Sequence, residues 1–153
     1  MRLPRLLRHL VTPQRVIDRA FPQRVREAIE VAVSEAEKTH EIQLRIVAEA
    51  GLPLGSLLRG EIPRARAIEL FSRLRVWDTE HNSGVLIYVQ MADRKIEIVA
   101  DRGINAKVKQ AEWNAICRRI TREFREGRFE DGAVVGIREL TELIKQRIPP
   151  RIP

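Results

Sequence analysis

The run Val85-Leu86-Ile87-Tyr88-Val89 constrains this chain more than any other stretch. It has no polar face to turn toward water, so it suits a strand at the centre of a sheet, covered on both sides. The rest of the chain must then supply helices for both covers. Ile42, Leu44 and Ile46 alternate with Gln43 and Arg45, the period-two signature of a strand with one face fully covered. Ile96, Ile98 and Ala100 alternate with Lys95, Glu97 and Val99 in a third strand. Ala92-Asp93-Arg94 makes a tight corner, so the second and third strands form a hairpin.

The covering helices are legible from their apolar stripes. Val25, Ala28, Ile29, Ala32 and Ala36 line one face of a helix ending near Lys38. Gly51, Pro53 and Gly55 end the first strand and lead into a loop, after which Pro63 opens a helix with Ala67, Leu70, Phe71 and Leu74 inward. Residues 78–84 form a polar loop. Trp113, Ile116, Cys117, Ile120 and Phe124 mark a third helix, stopped at Gly127. Ala133, Ile137, Leu140, Ile144 and Ile148 mark a fourth, stopped by Pro149-Pro150. The order helix, strand, helix, strand, strand, helix, helix predicts an α/β fold, a three-layer α/β/α sandwich. Its small mixed sheet contains a parallel crossover and an antiparallel hairpin. Residues 1–21 read as a basic N-terminal arm, 22–148 as the domain and 149–153 as a proline-rich tail.

At 153 residues, 44% of them hydrophobic and 32% charged, the chain suits one domain with a buried core. Its single cysteine, Cys117, rules out an internal disulfide framework and a Cys-rich zinc site, and its place on an apolar stripe favours burial over nucleophilic chemistry. The net charge of +7 is unevenly spread, because residues 1–26 hold seven arginines against one acid, Asp18, and the remainder is almost neutral. In the arm, Leu3, Leu6, Leu7 and Leu10 recur at helical spacing with Arg2, Arg5 and Arg8 between them. That basic amphipathic pattern suits anionic lipid, a membrane-associated partner protein, or docking on the domain itself. Thr12-Pro13 reads as a helix cap. No run approaches the roughly 20 apolar residues of a membrane span, so no transmembrane segment is expected. The location expected is cytoplasmic, peripheral at a membrane through the arm. Nucleic acid is not an expected partner, because aromatic rings do not interleave with the basic residues. The arginines of 116–128 read as a solvated helix face, neutralised at i,i+4 spacing by Glu123 and Glu126. Leu52 to Gly60 lacks the residues of a phosphate loop.

The crossover makes the first two strands parallel, and the corner makes the third antiparallel to them. One end of the sheet should therefore collect His40, Glu41, Asp78, Glu80, His81, Asn82 and Asp101, while the other collects Glu49, Asp93 and Arg94. A hard divalent cation needs such a gathering of oxygens. The same carboxylates could instead work as an acid–base pair. In a metal-assisted phosphomonoesterase, Asp78 and Asp101 would hold the ion while Glu41 or His81 handled the proton. A purely structural adaptor for a membrane-associated partner is the remaining alternative.

The chain resembles the TPM-domain family, which includes photosystem II repair proteins of thylakoids and bacterial proteins often encoded beside LemA. The resemblance rests on Thr39-His40-Glu41-Ile42, on Asn82-Ser83-Gly84-Val85-Leu86-Ile87-Tyr88-Val89, on Ala92-Asp93-Arg94, on residues 96–104 and on 124–132, and it spans residues 25 to 145. It implies an α/β/α sandwich, a bound divalent cation that is usually calcium with magnesium as the alternative, and in some members a weak acid phosphatase activity. By position it implies Glu41, Asn82 and Asp101 as metal residues, with Asp78 alongside them and Glu80 and His81 as supplements; no catalytic residue is assigned. The chain departs from many relatives in carrying Trp77-Asp78-Thr79-Glu80-His81 in place of a glycine-rich loop, and in having Ser83 between the amide and the glycine. Many relatives also carry a signal peptide and a C-terminal membrane segment, whereas this sequence reads as a stand-alone version of the domain.

Overall fold

A computed structural model describes His9, residues 14–39 and residues 42–148. The expectations for Leu3, Leu6, Leu7 and Leu10, for Arg2, Arg5 and Arg8, for Thr12-Pro13, for His40 and Glu41, and for the proline tail lie outside the described residues. In chain order the elements are α1 (Gln14–Ala20), α2 (Gln23–Thr39), β1 (Gln43–Glu49), α3 (Leu54–Leu58), α4 (Pro63–Arg73), β2 (Gly84–Gln90), β3 (Lys95–Ala100), α5 (Arg102–Asn105), α6 (Gln110–Arg125) and α7 (Phe129–Arg147).

The sheet order is β1-β2-β3, with β1 parallel to β2 from Gln43↔Gly84 to Glu49↔Gln90 and β3 antiparallel to β2 from Val85↔Ala100 to Gln90↔Lys95. Every residue of β2 is buried, as its apolar run demands. Val85, Ile87 and Val89 face the larger core, with Ile29 and Ala32 of α2, Trp113, Ile116 and Ile120 of α6, and Ile137, Leu140 and Ile144 of α7. Leu86 and Tyr88 face the smaller one, against Ala67 and Leu70 of α4. Helices therefore cover both faces, and the three-layer sandwich is the observed architecture. Ile17, Ala20 and Phe21 join the larger core, so the segment from α1 onward is part of the packed body. Phe21 meets Phe124 and Phe129 edge-on at 5.8 and 5.6 Å between ring centres, tying the α1–α2 joint to the α6–α7 turn.

Two short helices depart from the sequence reading. The expected loop after β1 contains α3, and α5 follows β3 immediately. Five and four residues are too few to display a 3.6-residue period, so neither could be seen as an apolar stripe. A third departure concerns the arginines of α6. Among the described residues they form no ion pair at i,i+4: Arg119 pairs with Glu139 of α7, and Arg128, just beyond the helix, with Glu123 at 2.6 Å. The α6–α7 pair is closed at its other end by Arg147, which grips Glu112 through both carboxylate oxygens at 3.0 and 2.6 Å.

Both outer strands have a charged side chain laid on their open edge. The Glu37 carboxylate accepts from the Leu44 backbone N–H at 3.0 Å, and the Arg64 guanidinium donates to the Ile98 carbonyl.

Candidate functional site

Strand direction determines which polar residues share an end of the sheet. Gln43 N–H donates to the Ser83 carbonyl at 3.1 Å, Asp101 N–H to Gly84 at 2.9 Å and Gly103 N–H to Asn82 at 3.1 Å. The start of β1, the start of β2 and the exit of β3 are thereby laced together, and Asn82 and Asp101 are brought to one end. Asn82 takes a left-handed backbone conformation, φ 53°, which asparagine tolerates better than most residues. Gly103 closes the weave: a Cβ there would lie 2.6 Å from the carbonyl oxygens of both His81 and Asn82, so only glycine lets α5 start this close to the loop.

The Asp101 carboxylate caps α5, accepting from the Arg102 backbone N–H at 2.8 Å. Its second oxygen and the Asn82 side-chain amide make no hydrogen bond among the described residues. Asp78 is exposed and ion-paired with Arg75 at 3.0 Å, while that guanidinium also lies 5.6 Å from the ring centre of Trp77. Glu80 reaches outward into solvent, 3.6 Å from His81. Thr79 braces the loop through its hydroxyl, which accepts from Ser83 N–H at 2.9 Å.

These donors are carboxylate and amide oxygens, the chemistry of a hard cation. Among the described residues no three His, Cys, Asp or Glu side chains converge closely enough to hold a metal ion. A cation here would lean on Asp101 and Asn82, with a further carboxylate from Asp78 or from Glu41, which lies outside the described residues.

The opposite end of the sheet holds Glu49, as strand direction predicts, in a polar network whose other members, Arg66, Tyr88 and Gln90, sequence reasoning missed. Arg66 sits on α4 with its side chain nearly buried, and grips Glu49 of β1 bidentately at 2.9 and 2.8 Å. The Tyr88 hydroxyl donates to Glu49 at 2.7 Å and accepts from the Gln90 amide at 3.2 Å. Burial alone would raise the Glu49 carboxyl, but the hydrogen bonds from Arg66 and Tyr88 and the charge of Arg66 outweigh it and hold the group below the usual carboxylate range. Tyr88 is pushed well above an ordinary phenol, first by burial and then by its carboxylate neighbour. The signal was present: Arg66 falls four residues before Leu70 on the buried stripe, where a charge needs a partner. Nearby, His9 is buried; its Nδ1 accepts from the Leu52 N–H at 2.9 Å and its Nε2 lies 2.9 Å from Asp93.

Cys117 is partly buried, and burial, followed by the charge of Glu97, pushes its thiol up to about 12. A thiol held protonated in this way is a poor nucleophile.

Comparison with known proteins follows the same outline. The sequence model of the TPM domain matches residues 16–143. Among solved structures, the BA42 protein from the psychrophilic bacterium Bizionia argentinensis is similar at 28% identity and a TM-score of 0.72, over 84% of this chain and 83% of that one. The N-terminal domain of a P. gingivalis protein shares the fold at 13% identity and a TM-score of 0.66, over 86% of this chain and 80% of its own. No curated protein matches.

Proposed function

Because the chain belongs to the TPM-domain family, we propose that it is a divalent-cation-binding interaction module with little or no catalytic activity, its ion resting at the sheet end of Asn82 and Asp101. The observation that carries this reading is the lacing of three strand ends through Gly84 and Gly103, which leaves one Asp101 oxygen and the Asn82 amide without a hydrogen-bond partner among the described residues. Glu41 and Asp78 are the further oxygen donors proposed, with Glu80 and His81 as supplements. Calcium, which accepts six to eight oxygens at variable angles, is the ion proposed, with magnesium, which demands a near-octahedral shell, as the alternative. A bound ion would supply positive charge able to bridge the domain to an anionic group on a partner. The chain's own part is to fix the donors: Asp101 is oriented by the Arg102 N–H and Asn82 by its left-handed backbone. The partner favoured is membrane-associated, met through the basic arm at Arg2, Arg5 and Arg8. No helix among the described residues is long and apolar enough to cross a membrane.

Titration calorimetry of the full chain with calcium, magnesium and manganese tests the reading. Calcium should bind with measurable heat and raise the melting temperature. Asp101→Asn, which retains a good helix cap, should abolish both effects while the fold persists. Absence of heat and of any melting shift at millimolar metal would remove the cation. Turnover of an aryl phosphate that disappears in Asp101→Asn would instead make the site that of a phosphomonoesterase.

A further inference from the structure

At a distance from the sheet end just described, the open edge of β3 and the facing side of α6 enclose a groove of about 680 Å³. Five cations line it: Arg94 and Lys95 from the hairpin corner, and Arg118, Arg122 and Arg125 from one stripe of α6. None of the five forms an ion pair among the described residues, although Arg119 and Arg128 of the same segment are both paired. Of the two carboxylates in the groove, Glu97 is engaged by Arg64 at 3.5 Å. Glu126 also lines the groove, without an ion pair among the described residues, leaving five cations against two carboxylates, and like charges at i,i+4 on a helix repel one another, so the excess favours an anionic occupant.

From this juxtaposition we infer that the groove docks an acidic, extended segment of a partner protein. The recess is concave, bounded by a strand and a helix, which suits a chain lying along it better than a flat lipid surface. An extended chain presents every second side chain on one side at roughly 6.7 Å intervals. The arginines at 118, 122 and 125 step along α6 by roughly 4.5–6 Å, so alternate carboxylates can reach successive guanidiniums. Four of the five cations are arginines, whose planar forks hold carboxylates bidentately. No aromatic ring lines the groove itself, and Phe124 and Phe129 stand only in an adjoining cavity, so successive bases of a single-stranded nucleic acid would find no row of rings along it. This cavity, of about 390 Å³, shares Arg94, Lys95, Ile96, Thr121 and Arg125 with the groove and is also walled by Val89, Phe124 and Phe129. That cavity accepts one apolar side chain of the docked segment. Along β3 the segment lies over the Lys95–Ile96 half, because the Arg64 side chain already occupies the Ile98 carbonyl.

The test is fluorescence anisotropy of the full chain with a labelled peptide carrying glutamate at alternate positions and one terminal leucine. Arg118→Ala/Arg122→Ala/Arg125→Ala should weaken binding at least about tenfold. Arg94→Ala/Lys95→Ala, approaching from the other wall, should weaken it in the same direction, and it carries the test if the triple variant does not fold. Arg119→Ala/Arg128→Ala removes as much charge as the hairpin pair, yet should change affinity by less than about twofold, since those arginines point elsewhere. The inference is overturned if the peptide does not bind, if binding survives in both groove variants, or if the paired-arginine control weakens it equally. Tighter binding to an oligothymidylate or to phosphatidylglycerol vesicles than to the peptide would likewise overturn it, by making the groove a phosphate site.

Discussion

Arg66 stands on the inward stripe of α4, where a hydrocarbon would be expected, and the sheet answers it with a carboxylate from a strand seventeen residues earlier. Removing one partner of such a pair leaves the other charged and half-buried. Arg66→Met should therefore cost on the order of 3 kcal/mol, which for a chain of this size lowers the melting temperature by roughly 6–12 °C, measurable by calorimetry at neutral pH. The pH dependence follows from the depressed carboxyl of Glu49. A carboxyl held lower in the fold than in the unfolded chain stabilises fully above its unfolded value, and that stabilisation fades as pH falls through the folded one. In Arg66→Met the lowering from Arg66 is gone and burial pushes the group upward, so the gap between variant and parent should narrow in acid. A gap constant from pH 7 to pH 3 would deny the pair this role. The place of Arg66 on the inward stripe was legible, whereas its partner Glu49, remote in sequence, was not. The meeting of Asn82 and Asp101 was legible, since strand direction alone brings them to one end. The pairing of Asp78 with Arg75 was not, because it depends on the left-handed φ of 56° at Arg75, which no pattern announces.

Elements were legible in proportion to their length. β2 and the long helices carry enough period to be read, whereas α3 and α5 lie in stretches whose glycines and prolines signal only turns. Yet α5 is the element that positions the sheet end. Its Ile104 is buried, and Asn105 accepts from the indole N–H of Trp113 at 3.1 Å, fastening it to α6. Gly103→Ala should force apart α5 and the 81–82 loop, because the atoms it would strike are backbone oxygens with little room to retreat. We expect a loss of about 2 kcal/mol, in the range of overpacked sites, together with a fall in calcium affinity steeper than that of a core variant of at least equal stability loss, such as Ile137→Ala. Equal affinity in Gly103→Ala and the parent chain would detach α5 from the proposed ion site.

For the molecule as a whole, the central position of β2 sets the order in which the structure opens. A strand paired on both sides and covered on both faces can exchange its amide hydrogens only when the sandwich comes apart. The amides of Val85 to Val89 should be the slowest to exchange in deuterated buffer; if α2 or α7 amides outlast them, the core is organised around the helices. The charge is organised at this scale too, with most of the net +7 in the first 26 residues, leaving a nearly balanced body that carries its positive groove locally. The two guards on the sheet's rims, Glu37 at Leu44 and Arg64 at Ile98, bear on how such molecules can meet. Naked strand borders invite neighbouring copies to zip together into ribbons. Here a helix on either side drops an ionised plug into the border, so crowding should yield contacts between side-chain surfaces and no continuous fibre.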